Sequence, residues 1–95
     1  MTFEQYLLSL QNNHSPELSD YLVSLWYDKK GNWDKAHQVA QGIPDKDGSW
    51  IHAYLHRVEG DTWNSNYWYT IAGKKMPNIS LEEEWERLVH YFLEK

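Results

Sequence analysis

The chain has 95 residues, a net charge of −5 with histidine neutral, and no cysteine. This length suits one domain with a modest core over residues 1–95, while the lack of cysteine excludes disulfides and thiolate metal sites. An acidic chain without a membrane-length apolar run or a basic leader predicts a cytoplasmic protein that contacts neither nucleic acid nor membrane.

Six short helices are predicted, separated by Gly, Pro, Asn and Asp residues. Their expected bounds are about residues 3–11, 15–31, 32–42, 47–60, 61–73 and from 80 onward. Two pairs, Thr2 with Gln5 and Ser80 with Glu83, have the spacing of capping boxes. Ser15 followed by Pro16 is typical of a helix start. Because no stretch alternates long enough to be a strand, the sequence predicts an all-α fold.

A weak internal repeat divides the central part of the chain into two helical hairpins. Gly31 and Gly60 lie 29 residues apart, and each is followed five residues later by a small residue, Ala36 or Ser65. This pattern over about residues 18–73 resembles the tetratricopeptide repeat, whose usual period is about 34 residues. The resemblance implies antiparallel helical hairpins and a fragment of a tetratricopeptide-like α-α superhelix, capped by the first and last helices.

The fourth predicted helix carries histidines that share one flank. His52 and His56 are one helical turn apart, with Glu59 beside them, so these three can form a Zn²⁺ site. His37 from the preceding helix is a fourth candidate ligand. The alternatives are hydrogen-bonded histidines at the edge of the core, or a metal-free acid–base site. The run of glutamates at 82–84 is interpreted as a solvated helix face.

Three successive aromatic residues, Tyr67, Trp68 and Tyr69, form the second unusual feature. A helix spreads three consecutive side chains over about 200°, so they cannot all face one core. At least one ring is therefore expected to line a groove or lie exposed, where it favours recognition. Two alternatives remain, a thin core rich in rings or a contact between two copies in a homodimer.

A longer pattern covers residues 33–73. It reads Trp-x-x-Ala-His, then Trp-Ile-His-Ala-Tyr-Leu-His-Arg-x-Glu-Gly-Asp, then Asn-Tyr-Trp-Tyr-x-x-Ala-Gly. This pattern resembles a family of small bacterial and fungal helical proteins for which no activity is established, so it implies helical structure and no reaction. The resemblance directs attention to a polar–aromatic set of expected ligand-binding residues: His37, His52, His56, Arg57, Tyr67 and Trp68.

Two functions are compatible with these observations. The first is a non-enzymatic module that binds a protein segment or small ligand in an aromatic–histidine groove between the fourth and fifth helices, without a required cofactor. The second is a small metal-dependent or histidine-based hydrolase using His37, His52, His56 and Glu59. The hairpin pattern and the surplus of rings favour the first function, and the histidine flank favours the second.

Overall fold

Six α-helices and no strand make up the computed structural model, which describes residues 1–95. The all-α prediction is therefore confirmed. The helices are α1 (Phe3–Ser9), α2 (Asp20–Lys29), α3 (Trp33–Gln41), α4 (Lys46–Val58), α5 (Thr62–Ile71) and α6 (Leu81–Glu94). None of them combines the length and the apolar character needed to cross a membrane.

The closest helix pairs are α2 with α3 and α4 with α5, and each pair is joined by a glycine turn. Gly31 and Gly60 have φ angles of 83° and 82°, a backbone conformation in which a side chain is strained. Asn32 and Asp61, the next residues, cap the following helices by accepting hydrogen bonds from the backbone of that helix. One turn type therefore reverses the chain twice, which forms two short hairpins.

Small side chains hold the helices of each hairpin close together. The Ser24 hydroxyl donates to the Ala36 carbonyl at 2.8 Å, and the Ser65 hydroxyl donates to the Ala53 carbonyl at 2.8 Å. All four residues are buried. Ser24 and Ala53 lie 29 residues apart, as do Ala36 and Ser65, so the second hairpin repeats the contact with the serine on the other helix. The tetratricopeptide-like superhelix itself stays a prediction.

Helix α6 packs against α2 and α4, and α1 packs against α6. The core that they enclose is rich in rings whose polar tips are all satisfied. The Trp85 indole donates to the Leu25 carbonyl at 3.0 Å, and the Trp26 indole donates to the Ser9 hydroxyl at 3.1 Å. The buried tryptophans therefore stabilise a small domain without leaving their N–H donors unpaired.

Two predicted helix bounds are wrong. The second helix begins at Asp20, because Ser15 donates its hydroxyl to the Pro16 carbonyl and provides no cap; extended Ser19 precedes the helix instead. The first helix ends at Ser9, after which three hydrogen bonds of the tighter i→i−3 type close the chain into turns up to Asn12.

Candidate functional site

Three histidines from two helices meet where α3 faces α4. The Nε2 atoms of His37 on α3 and His52 on α4 are 2.9 Å apart. The ring of His56, one turn further along α4, lies 4.9 Å from the His52 ring and 5.3 Å from the His37 ring. One nitrogen from each ring can be chosen so that all three lie within 4.8 Å of one another. The structure thus places these three predicted ligands together.

Two tryptophans flank the histidines. The Trp33 ring stacks on His37 at 4.7 Å, and the Trp68 ring from α5 stacks on His52 at 4.0 Å. Trp33 is fixed in turn by its indole N–H, which donates to the Leu55 carbonyl at 2.7 Å. These five residues, His37, His52, His56, Trp33 and Trp68, are called the aromatic–histidine cluster below. It lies among α3, α4 and α5, whereas the sequence predicted a groove between the fourth and fifth helices.

Glu59 orients one of the three rings. Its carboxylate lies 2.7 Å from Nδ1 of His56, and it is the more exposed partner. A carboxylate that accepts the Nδ1 proton leaves Nε2 as the ligand nitrogen, an arrangement that is common behind metal-bound histidines. Glu59, predicted as a metal ligand, therefore lies where it can orient His56. Asp61 is near both, but its oxygens accept from the backbone and side-chain amides of Asn64.

Burial keeps two of the rings neutral. Desolvation, together with the neighbouring His37 and His56, lowers the pKa of His52 to about 4. Desolvation and the nearby His56 also lower the pKa of His37, although Glu59 and Asp34 oppose this shift. Because a histidine must lose its proton before it can bind a metal ion, both rings are ready as ligands at neutral pH.

The spacing of the nitrogens is near the spacing around a small metal ion, with one pair 2.9 Å apart and all three within 4.8 Å of one another. A tetrahedral Zn²⁺ with bonds of about 2.0–2.1 Å needs ligand atoms separated by roughly 3.3 Å. The 2.9 Å between His37 and His52 is slightly shorter, as expected for a hydrogen bond between two neutral rings. Small rotations of these rings would convert the hydrogen bond into two metal bonds. Three histidine ligands would leave one tetrahedral position for another ligand.

A cavity of about 380 Å³ adjoins the cluster and is bounded by His52 and Trp68. It lies beside the connection between α3 and α4, near Ile43 and Gly48. Gly48 is needed there because a Cβ atom at this position would lie 2.5 Å from the Ile43 carbonyl oxygen. The chain can thus bring the start of α4 close to the end of α3, which places His52 opposite His37.

Arg57 does not belong to the cluster, although the sequence analysis grouped it with the histidines. Its guanidinium donates to the Glu84 carboxylate at 2.8 Å and to the Ile79 carbonyl. Glu84 is only 2% exposed and also accepts from the Tyr69 hydroxyl. The interpretation of residues 82–84 as a solvated face is therefore wrong for Glu84. Glu84 lies three residues after Leu81 and four before Leu88. This helical spacing could have predicted that Glu84 lies on the buried face of α6.

Tyr67 contacts the cluster only at its outer edge, through Trp68. Its ring is 51% exposed and stacks on the Trp63 ring at 5.9 Å, on the outer surface of α5. Its neighbour Trp68 points inward and meets it edge-on. Sequence reasoning placed no site role on Trp33, although its position four residues before His37 is the spacing that brings two rings together on one helix face.

Comparisons with protein-family models, with curated proteins and with solved structures found no match for this chain. The resemblance of residues 33–73 to a helical family therefore stays a prediction, and the geometry of the site is the basis for the function proposed below.

Proposed function

We propose that this protein is a non-enzymatic binding module whose ligand is a divalent transition-metal ion, Zn²⁺ in particular, held by His37, His52 and His56. The observation that supports this most directly is the convergence of three imidazole nitrogens within 4.8 Å of one another. Imidazole nitrogens suit Zn²⁺, Cu²⁺ and Ni²⁺, whereas Mg²⁺ and Ca²⁺ prefer oxygen ligands.

The surroundings of the three nitrogens support the same proposal. Glu59 orients His56 through Nδ1, and the stacked indoles of Trp33 and Trp68 hold the other two rings. Rings supported in this way lose little freedom when an ion binds. The site needs no cysteine, so it would remain intact in the reducing cytoplasm, which is the location we propose.

Calorimetric titration with Zn²⁺ and Ni²⁺ tests this proposal. The tag-free protein should bind one ion with a Kd in the micromolar range or below, and His37→Ala and His52→Ala should each weaken binding at least tenfold. The matched control is His14→Ala, because His14 is exposed and lies in a turn outside the cluster. Weak binding by the parent protein, or equal loss in the control, would rule out the histidine site. Circular dichroism of each variant separates loss of ligands from loss of fold.

The ligand can also be larger than an ion. The cavity beside His52 is open on one side and is lined by Trp68 and Ile43 among others, and its volume of about 380 Å³ suits a small molecule better than a protein segment. We therefore favour a small molecule as the ligand over a peptide, which is the ligand that a tetratricopeptide-like superhelix would bind. Such a ligand would lie against the His52 face of the cluster.

A metal-dependent hydrolase that uses His37, His52, His56 and Glu59 is the second candidate function. It is favoured by the three-histidine donor set, which leaves one metal position open, and by the adjacent cavity. A bound Zn²⁺ would supply Lewis-acid chemistry there and lower the pKa of coordinated water. Hydrolysis of 4-nitrophenyl acetate by the Zn²⁺-loaded protein, compared with His52→Ala and with free Zn²⁺, tests this candidate. A rate no higher than that of free Zn²⁺ would eliminate it.

A further inference from the structure

The outer face of α5 carries three large apolar side chains in one line. Trp63, Tyr67 and Ile71 are spaced four residues apart and are 75%, 51% and 40% exposed. The Trp63 and Tyr67 rings are nearly parallel, with an angle of 8° between their planes. Single exposed rings are ordinary, but a continuous apolar stripe on a helix usually contacts another molecule. The opposite face of α5 is already buried, with Ser65 bonded to Ala53 of α4 and Tyr69 bonded to Glu84 of α6.

Helix α5 is also the only helix in the chain without a charged residue. The chain as a whole carries a net charge of −5, which would make most pairs of its surfaces repel each other. Because α5 has no charged residue, its outer face does not add to this repulsion. Among the helices, it is therefore the surface on which a second copy meets the least electrostatic opposition.

Charges of opposite sign stand at the two ends of this neutral face. Glu59 and Asp61 precede α5, while Lys74 and Lys75 follow it. The Lys74 ammonium lies 4.2 Å from the centre of the Trp50 ring, so that side chain already has a contact within the chain. Lys75 is exposed, and so is Glu59, whose carboxylate uses one oxygen on Nδ1 of His56 and has no hydrogen bond within the chain at the other. Each of these two residues is eight positions from Tyr67, on opposite sides of it.

We propose that this face binds a second copy of the chain, with the two α5 helices antiparallel about a two-fold axis through Tyr67. Within α5, Trp63 and Ile71 lie four residues on either side of Tyr67. Trp63 would pack on Ile71 of the partner subunit, and Tyr67 on the partner's Tyr67. Glu59 would face Lys75 of the partner subunit. A two-fold interface requires this kind of self-complementary surface.

The size of the face sets the expected strength of the dimer. Helix α5 has ten residues and is about 15 Å long. An interface of this length is smaller than the roughly 800 Å² per partner of a standard stable complex. We therefore expect a dimer with a Kd on the order of 10–100 µM, driven by the aromatic rings.

Sedimentation equilibrium of the full chain between about 5 µM and 1 mM tests the proposal. The parent protein should pass from monomer to dimer over this range, and Tyr67→Glu should raise the Kd at least tenfold by placing two carboxylates at the axis. Leu8→Glu is the matched control, because Leu8 is 62% exposed on α1, a different surface. A chain that stays monomeric at 1 mM overturns the proposal, as does a dimer that Tyr67→Glu leaves intact.

A charge exchange tests the antiparallel register. Lys75→Glu and Glu59→Lys should each weaken the dimer, and the double variant should restore it, because each new pair again has opposite charges. Failure of the double variant to recover would contradict the pairing of these two residues. Tyr67 is not one of the three proposed metal ligands, so Tyr67→Glu should still bind Zn²⁺ if the metal-binding proposal holds. Glu59→Lys also removes the carboxylate that orients His56, so this variant is used in the dimer measurement only.

Discussion

The Nε2 atoms of His37 and His52 lie 2.9 Å apart, and the hydrogen bond between these neutral rings joins the two helical hairpins. The bond from the Trp33 indole to the Leu55 carbonyl joins them as well. In the bond between the histidines one ring donates its proton and the other accepts, so the pair cannot keep it when both nitrogens are protonated. Metal ions and protons therefore compete for the same two atoms.

Binding of Zn²⁺ should stabilise the folded chain. At a free Zn²⁺ concentration one hundred times the Kd, the free energy of unfolding should rise by about 2.7 kcal/mol. For a domain of this size, that gain corresponds to an increase in Tm of about ten degrees or more. Differential scanning fluorimetry measures the shift directly, and the shift should vanish for His52→Ala. An unchanged Tm in saturating Zn²⁺ would contradict a site formed by the fold.

Acid should destabilise the protein through the histidines. The pKa of His52 is about 4 in the folded chain, below its ordinary value of 6.5, and the pKa of His37 is also lowered. Between pH 6.5 and about 4 the unfolded chain binds more protons, so the free energy of unfolding falls as the pH falls. Urea denaturation at pH 7.5, 6, 5 and 4.5 measures this slope. His52→Gln should flatten it, whereas the exposed His14→Gln should leave it unchanged.

Loss of Glu84 should destabilise the fold strongly. Glu84→Ala would leave the Arg57 guanidinium partly buried without its carboxylate, and Tyr69 without its acceptor. Breaking a buried ion pair in this way costs about 3–5 kcal/mol, measured by urea unfolding. Glu86→Ala is the matched control, since Glu86 is exposed on the same helix and should change stability by less than about 0.5 kcal/mol. A similar, small effect for both variants would show that α6 does not need this pair.

Gly48→Ala should also destabilise the protein, although alanine normally favours a helix. The added Cβ would lie 2.5 Å from the Ile43 carbonyl oxygen and 2.6 Å from its side chain. Such overpacking costs about 1–3 kcal/mol. At Gly42 the nearest atom to an added Cβ is 3.5 Å away, so Gly42→Ala should be nearly neutral in the same urea experiment. Equal stability of the two variants would mean that the turn between α3 and α4 can shift at little cost.

The sequence predicted the helices well because their signals are local. The Thr2–Gln5 capping box is present with both hydrogen bonds. The predicted Ser80–Glu83 box forms only in part, because the Ser80 hydroxyl accepts from the Glu83 backbone at 3.0 Å while the Glu83 carboxylate pairs with Arg87. The start of α2 was predicted wrongly at Ser15, because a hydroxyl near a proline has other acceptors within reach. Local pattern alone does not decide which of these acceptors it uses.

The site was predictable only in part, because some of its contacts are set by local spacing and others join distant parts of the sequence. The i, i+4 spacing of His52 and His56 places both on one flank of α4, whichever way the helices pack. The approach of His37 depends on how α3 crosses α4, and the contact of Arg57 with Glu84 joins residues 27 positions apart. No periodicity in the sequence encodes such distances. They become visible only when the helices are assembled.

The serine–alanine contact inside each hairpin has a consequence for the history of the chain. Ser24 bonds to Ala36 in the first hairpin, while in the second the hydroxyl belongs to Ser65 and the acceptor to Ala53. If the two hairpins descend from one ancestral unit, selection has preserved the crossing and allowed the hydroxyl to change helices. In related sequences, the two positions of each hairpin should then vary together, with serine and alanine exchanged between them.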